Sequence, residues 1–447
     1  MTLPIEPSVS DAEFSDLDRH FGRLIARLSG GEDPVLVAAA ALASRATGRG
    51  DVCVDLAEFA GRPVPGGSVA MPPFDEWIAV LRNYPTVGRP GDFCPLVLDE
   101  SGRLYLYRYW DYEKRLAENL LARASGTADG VDVALLRAGL ARYFPDPLDL
   151  EQKRAAAIAV LRRFCVISGG PGTGKTFTVV KILALLAQQA RGRPLAVGLA
   201  APTGKAAARV QEAIQMALDR LGLDPAARAC FPDEAYTVHR LLGARPDSVY
   251  YRHDRDNPLA LDVLVVDEAS MADLALMAKL AEALPARTRL ILLGDKDQLA
   301  SVEAGAVLGD ICAGSGRSAE FAGRLAEVLD APVQENPSGA ESRSPLADSI
   351  ALLNRSYRFG AESGIGKLAR LVNRGEGAGA LQLLESGGHD DIAWHTIGAP
   401  GLKATLASRI LDRLARYLDS VRGGAAPQEI FRRFNAFRVL CAHRSGP

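Results

Sequence analysis

The run "RFCVISGGPGTGKT", residues 163 to 176, constrains this chain more than any other stretch. An apolar, β-prone segment passes directly into four glycines and then into Lys175 and Thr176. The spacing Gly169-x4-Gly174-Lys175-Thr176 satisfies the phosphate-loop pattern, and it has the strand before and helix after that the pattern requires. Glycines let successive backbone N–H groups turn inward onto phosphate oxygens. The positive end of a helix running from about Lys175 to Ala190 adds a favourable field. Gly169, Gly170, Pro171, Gly172, Thr173 and Gly174 would form the cradle, with Lys175 reaching the β and γ phosphates and the Thr176 hydroxyl holding Mg²⁺. A glycine-rich turn followed by a surface lysine is the plainer alternative, and pattern plus context favour nucleotide.

Around this run the chain alternates strand and helix. Short apolar runs at Phe164 to Ile167, Leu195 to Leu199, Val263 to Val266 and Leu290 to Leu293 suit a parallel sheet buried on both faces. Each ends in a polar cluster: "SGGPGTGKT", "APTGKAAAR", "DEASM" and "GDKDQLASVEAG". Ligands of open α/β sheets sit beyond the carboxyl ends of the strands, so the four clusters are expected to share one site.

Asp267 and Glu268 follow the strand "VLVV". Such a pair suits a metal-holding aspartate and a glutamate that accepts a proton from water, although acidic residues are also favoured at helix starts. The phosphate loop tips this towards catalysis. Gln298 ends the neighbouring strand and is either a γ-phosphate sensor or a solvated loop residue. Gln152, just before the first sheet strand, has an amide able to pair with an adenine edge, or it is an ordinary helix-surface glutamine. Thr203 and Lys205 fall at a helix start and suit nucleic-acid phosphates. Thr237 and His239 lie in "TVHRLLG", where the histidine reads equally as structural. Arg358, in "NRSYRF", is expected to open a second α/β unit and reach across a cleft to the γ-phosphate.

Length and pattern predict three regions. Residues 1 to 145 read as mainly helical, with a hairpin about Asp99 to Gly102, and the Pro-bearing "YFPDPLDLEQ" marks the boundary. Residues 146 to 345 form the first α/β domain, with a small insertion near 245 to 260 and a largely mobile Ser/Gly/Pro-rich segment near 314 to 349. Residues 346 to 447 hold the second unit, ending in a strand-like "FRVLCA".

With 48% apolar and 24% charged residues, the composition is that of a soluble globular chain. No apolar run reaches membrane-spanning length. Six scattered cysteines without metal-ligand spacing fit a reducing, cytoplasmic setting. A net charge of −2 means that any strand-binding groove is a local feature.

Taken in order, Gln152, "GGPGTGKT", "APTGKAAA", "TVHRLLG", "VVDEASM", "LLGDKDQLASVEAG" and "NRSYRF" resemble the motif series of superfamily 1 helicases. The wording of "DEASM" and "GDKDQLASVEAGAVLGDI", with "HFGRLIARL" and "GRLYLYRYWDYEKRLAENLLARA", is similar to the RecD family, the alpha subunit of exodeoxyribonuclease V (RecBCD). The resemblance implies RecA-like P-loop motor domains behind a helical amino-terminal domain that docks onto a RecC-like subunit. It implies an ATP-driven, Mg²⁺-dependent motor moving 5′ to 3′ on single-stranded DNA, acting with RecB-like and RecC-like subunits on double-strand ends during recombination. The nuclease would lie in the RecB-like partner. By motif, Lys175 and Thr176 hold phosphate and Mg²⁺, Asp267 and Glu268 hold Mg²⁺ and activate water, and Gln298 and Arg358 sense the γ-phosphate. Thr203, Lys205, Thr237 and His239 would line the strand.

Family members continue past "FRVLCAHRSGP" with an SH3-like insertion and two further motifs, the second bearing an arginine finger. The chain is therefore expected to be a shortened, incomplete or split protein that binds ATP but hydrolyses it poorly alone. Two other readings compete with the motor: a nucleotide-sensing, partner-docking subunit whose motor is idle, and an RNA-directed helicase of the same superfamily.

Overall fold

A computed structural model describes residues 14–31, 33–64, 70–126, 128, 130–223, 225–299, 301, 303–314, 317–331, 346–360, 362–395 and 402–440. They fall into two compact units, Met1–Arg358 and Phe359–Pro447.

The first unit opens with α1 (Asp16–Leu28) and α2 (Pro34–Gly48). Ser15 and Asp33 cap them, and in the Ser15 capping box the Asp18 side chain returns the bond. β1 (Cys53–Asp55), α3 (Phe74–Leu81), β2 (Val87–Gly88), β3 (Leu96–Leu98) and β4 (Arg103–Leu106) follow, the strands pairing in the order β1-β4-β3-β2. β3 and β4 form the expected hairpin, with Asp99 accepting from the N–H groups of Ser101 and Arg103. This small domain has its own core around the fully buried Trp77, with Leu36, Leu56, Leu96 and Leu104.

Next come α4 (Tyr107–Ser125), α5 (Val133–Tyr143) and α6 (Leu150–Leu161). β5 (Phe164–Gly169), α7 (Lys175–Gln189), β6 (Val197–Ala201), α8 (Gly204–Leu221), α9 (Pro225–Arg228), β7 (Tyr236–Thr237), α10 (Val238–Leu242), β8 (Val263–Val266), α11 (Leu274–Glu282) and β9 (Arg289–Gly294) follow. The run ends with α12 (Val307–Ala313), α13 (Ala319–Leu329) and β10 (Ile350–Leu353). The strands form one sheet in the order β10-β5-β9-β8-β6-β7, parallel throughout. Alternation along each strand splits the side chains between two cores. Cys165, Ile167, Val265 and Ile291 face α5 to α8 and α13, whereas Phe164, Val166, Leu264 and Leu292 face α4 and α10 to α12. Burial on both faces is what continuous apolar strands require.

Packing crosses residue 145. Leu116 and Leu120 of α4, and Leu136 and Leu140 of α5, belong to the cores of the large sheet. Arg123 of α4 is 3% exposed, and its guanidinium donates to the carbonyls of Ala281, Leu284, Pro285 and Thr288.

Three expectations need correction. The segment near 314 to 349 contains α13, whose Phe321, Leu325, Val328 and Leu329 are buried in the core. Asp348 fastens it by accepting from Ser318 N–H and Oγ–H and from Arg162. Averaged Ser/Gly/Pro composition concealed the helical spacing of those four apolar residues; residues 332–345 lie outside those described. "ALLNRSYRF" does not begin a second α/β unit, because β10 is an edge strand of the first sheet, parallel to β5. In the second unit, α14 (Gly364–Asn373) and α16 (Leu402–Arg422) coincide with the apolar-periodic "IGKLARLVNRG" and "LKATLASRILDRLARYLDSV", and α15 (Gly377–Ser386) and α17 (Pro427–Asn435) are helices the sequence reading did not name. The strand expected at "FRVLCA" is absent from residues 437–440, and Cys441 and Ala442 lie outside the described residues.

Candidate nucleotide-binding site and strand-facing edge

The turn between β5 and α7 is the phosphate loop. Gly172 and Gly174 hold φ of +79° and +80°, a left-handed conformation that a side chain would strain. Both also lack room: a Cβ on Gly172 would lie 2.5 Å from the Cβ of Arg358, and one on Gly174 2.5 Å from Nε2 of Gln152. Lys175, on the first turn of α7, donates from Nζ to the carbonyls of Gly169 and, at 3.2 Å, Gly170. Thr176 sits on the same turn, half-buried.

Gln152 is 6% exposed, so it is not a helix-surface residue. Its Nε2 donates to the Thr173 carbonyl at 2.9 Å, and its Oε1 faces the Tyr357 hydroxyl at 3.4 Å. The Gln152 amide thus holds the phosphate loop from behind.

Asp267 follows β8, and its N–H donates to the Ala200 carbonyl at the end of β6. Its carboxylate accepts from Glu268 N–H at 2.8 Å. Burial pushes this carboxyl group up to about 6; the Glu268 N–H bond and the Lys175 ammonium pull the other way. Glu268 has φ of +52°, an uncommon conformation for a non-glycine residue and one met at functional turns. The short 3₁₀ turn Ala269–Met271 then buries Ser270, whose hydroxyl donates to Gln298 Oε1 at 2.8 Å. Gln298 itself is exposed in the turn after β9, where its N–H donates to the Asp295 carbonyl.

Arg358 lies beside the loop within the first unit, so no reach across a cleft is needed to bring it there. Residues 354 to 358 cross the loop as a strap: Tyr357 N–H donates to the Gly172 carbonyl and Ser356 Oγ–H to that of Pro171. Glu151 anchors the strap by accepting from the N–H groups of Asn354 and Arg355 and from the Asn354 amide. Asp149 accepts from the Tyr357 hydroxyl at 2.7 Å and faces the buried Lys181 ammonium at 3.5 Å. Sequence reasoning missed Asp149, Glu151, Ser270 and Tyr357. Glu151 and Tyr357 adjoin residues that were singled out, Ser270 lies within the quoted "DEASM" and Asp149 lies on the same turn as Gln152, and that nearness in sequence was the available signal.

Thr203 and Thr237 stand apart from this cluster, at the ends of β6 and β7. Each is the N-cap of the following helix, its hydroxyl accepting from Ala206 N–H and Arg240 N–H respectively. Their oxygens are engaged, yet each O–H remains a donor. Thr237 Cγ2 lies 4.0 Å from the position of a Cβ on Gly204, so the two caps adjoin. Lys205 and His239 are exposed on the same edge, with the His239 ring edge-on to Tyr251 at 6.1 Å.

Chemically, the loop offers a polyphosphate cradle with the Lys175 ammonium on it, the buried Asp267 carboxylate near that ammonium, the Gln152 amide behind it and the Arg358 backbone beside it. A hydroxyl and a carboxylate, Thr176 and Asp267, are the hard oxygen donors that Mg²⁺ takes, and the charge buried on Asp267 favours a cation. The residues present fit that ion.

Two family models match the chain. Residues 11–105 match the amino-terminal domain of the RecBCD enzyme subunit RecD, and residues 152–304 match an AAA domain. The RecBCD enzyme subunit RecD of Mycolicibacterium smegmatis is 39% identical over 96% of this chain and 70% of its own. That of Haemophilus influenzae is 38% identical over 70% of this chain and 50% of its own. The ATP-dependent RecD2 DNA helicase of Deinococcus radiodurans is 37% identical over 48% of this chain and 27% of its own. A relative matched along nearly the whole chain, together with the amino-terminal domain model, places this chain in the family of the RecBCD enzyme subunit RecD.

Proposed function

We propose that this chain is a motor subunit that moves 5′ to 3′ on single-stranded DNA, within a complex that processes DNA double-strand ends for recombination. As a member of its family it is a DNA-dependent ATPase of the helicase class. Its partners in this reading are RecB-like and RecC-like subunits, its compartment is the cytoplasm, and its nucleotide is ATP. The observation that supports the reading is convergence: β10, β5, β9 and β8 lie side by side, with Lys175 on the helix after the phosphate loop, Asp267 close enough to feel its ammonium, the Arg358 Cβ against Gly172, and Gln298 bonded to the turn after Asp267.

In this proposal Lys175 leaves the Gly169 and Gly170 carbonyls for the β and γ phosphates, with the loop N–H groups cradling the same oxygens. Thr176 and Asp267 would hold Mg²⁺, which supplies charge neutralisation on the phosphates. Glu268 takes a proton from the attacking water, and Gln298 and Arg358 donate to the γ-phosphate, where negative charge accumulates. Thr203, Thr237, Lys205 and His239 face the strand, the two threonine hydroxyls donating to phosphate oxygens while their caps stay made. Strand contacts on β6 and β7 thus reach the nucleotide through β8, which lies next to β6.

Steady-state ATP hydrolysis with and without single-stranded DNA tests this, comparing wild type with Lys175→Gln. The motor reading requires DNA-stimulated turnover that the substitution abolishes. Tight ATP binding without DNA-dependent turnover would leave a nucleotide-sensing docking subunit instead.

A further inference from the structure

The bond between Ser270 and Gln298 joins two loops that the sequence presents separately. Ser270 is 7% exposed and belongs to the 3₁₀ turn directly after Asp267 and Glu268. Gln298 is exposed, in the turn after the adjacent strand β9. A glutamine side chain in solvent has many rotamers, and its amide can roll by 180° between presenting oxygen and presenting N–H. Only the second face attracts an anionic phosphate. The Ser270 hydroxyl donates to Oε1 at 2.8 Å, which occupies the oxygen and leaves both N–H groups of Nε2 to act as donors. The turn itself is held close to β9, since a Cβ on Gly294 would lie 3.2 Å from Ser270 N.

We infer that Ser270 is a positioning residue that sets the roll of the Gln298 amide and ties γ-phosphate sensing to the turn bearing the water-activating glutamate. Ser270 itself need not touch the nucleotide. This rests on Gln298 acting at the γ-phosphate. The bond makes the sensor and the Asp267–Glu268 turn move together: a shift of the turn displaces the amide, and a phosphate drawing on the amide is felt at Glu268.

The test is a double-substitution cycle on the full chain, reading kcat and KM for ATP with saturating single-stranded DNA, and nucleotide affinity by a fluorescent ADP analogue. Ser270→Ala is expected to lower kcat by about 10-fold to 100-fold, within the ~10²-fold that misplacement by about 1 Å can cost, with KM and ADP affinity little changed. Ser270→Thr, which keeps the hydroxyl, restores most of kcat. In a Gln298→Ala background, Ser270→Ala adds little further loss, because its effect runs through the amide. Full additivity of the two losses, or equal loss in the alanine and threonine variants, overturns the inference and leaves Ser270 a packing residue. If Gln298→Ala alone leaves kcat unchanged, the assignment of Gln298 fails, and that outcome is distinct from the first. A fall in thermal stability that accounts for the Ser270→Ala loss also overturns it, so melting temperature is read alongside.

Discussion

The Gln152 side chain donates a hydrogen bond of 2.9 Å to the main-chain carbonyl of Thr173, in the middle of the phosphate loop. This buried bond fixes the loop from the helix side, while the Tyr357 N–H fixes it at Gly172 from the strap side. A loop held at its middle from two sides keeps its N–H groups aimed without the nucleotide having to order them, which is a form of preorganisation.

Gln152→Ala should therefore act on the loop. Leaving the Thr173 carbonyl without its buried partner costs about 1–3 kcal/mol. Melting temperature should fall, and affinity for ATP and for GTP should weaken together. A residue that only read adenine would lower ATP affinity alone and leave stability unchanged, so parallel titrations with both nucleotides decide between the two roles.

Asp267 gives a pH-dependent prediction. Burial raises its carboxyl group from 3.8 to about 6. Such a group favours the folded state while protonated; that advantage is complete below 3.8 and is lost as pH rises through about 6, above which the ionised carboxylate bears the burial cost. Replacing it with a neutral amide removes up to about 3 kcal/mol of that cost. Asp267→Asn should thus melt higher than wild type at pH 8 in EDTA, match it near pH 4, and lose ATP hydrolysis. Coincident melting at both pH values would contradict the assignment of the cost to ionised Asp267.

The parallel sheet was legible because strands buried on both faces leave unbroken apolar runs, and every polar cluster named from sequence ends one of them. Which sheet owned "ALLN" was not legible: β10 is as apolar as an internal strand, and only its pairing with β5 assigns it. The site residues with special chemistry were found, but those that place them were not. Glu151 carries no motif of its own and Ser270 stands in "DEASM" without a chemical role that the sequence assigns, and their roles exist only once α6 meets the strap and β8 lies beside β9. Gln152 was noticed for its amide, yet its burial depends on Tyr357, some two hundred positions away.

Glu151 anchors the strap that ends in Arg358, through two backbone N–H groups and one amide. Glu151→Ala should loosen the strap and lower kcat by roughly 10-fold, with ADP affinity nearly unchanged, because misplacement affects the group acting on the terminal phosphate most. Glu151→Gln retains an acceptor oxygen and should recover part of the loss. Arg358→Ala combined with Glu151→Ala should be no worse than Arg358→Ala alone, which steady-state kinetics can check.

Arg123 supports the joint between α4 and the large sheet. Its guanidinium meets four carbonyls, and burial pushes its pKa down to about 10 with no carboxylate partner among the described residues. Arg123→Met fills similar space, and although Ala281 and Pro285 keep other donors, it takes from the Leu284 and Thr288 carbonyls their guanidinium partner, each at about 1–3 kcal/mol if water cannot enter. The variant should unfold at clearly lower denaturant. Exchange of amide hydrogens in α4 and in the segment from the end of α11 to Thr288 should rise first, since the lost bonds join these two.

Lys205 tests the strand-facing edge separately from the nucleotide site. Exposed on the first turn of α8, beside the Thr203 cap, it is placed to neutralise one phosphate of a bound strand. Each such neutralisation contributes about 0.7 to the slope of log affinity against log salt for single strands. Lys205→Ala should lower that slope by about this amount, weaken DNA binding several-fold at low salt, and leave ATP affinity intact. Thr203→Val removes both the free O–H donor and the cap, which adds about 1 kcal/mol of destabilisation, whereas Thr203→Ser keeps both. If Lys205→Ala leaves the salt slope unchanged and Thr203→Val leaves DNA affinity unchanged, while Lys175→Gln still abolishes turnover, the strand runs elsewhere on this face and the edge formed by β6 and β7 serves only to cap its helices.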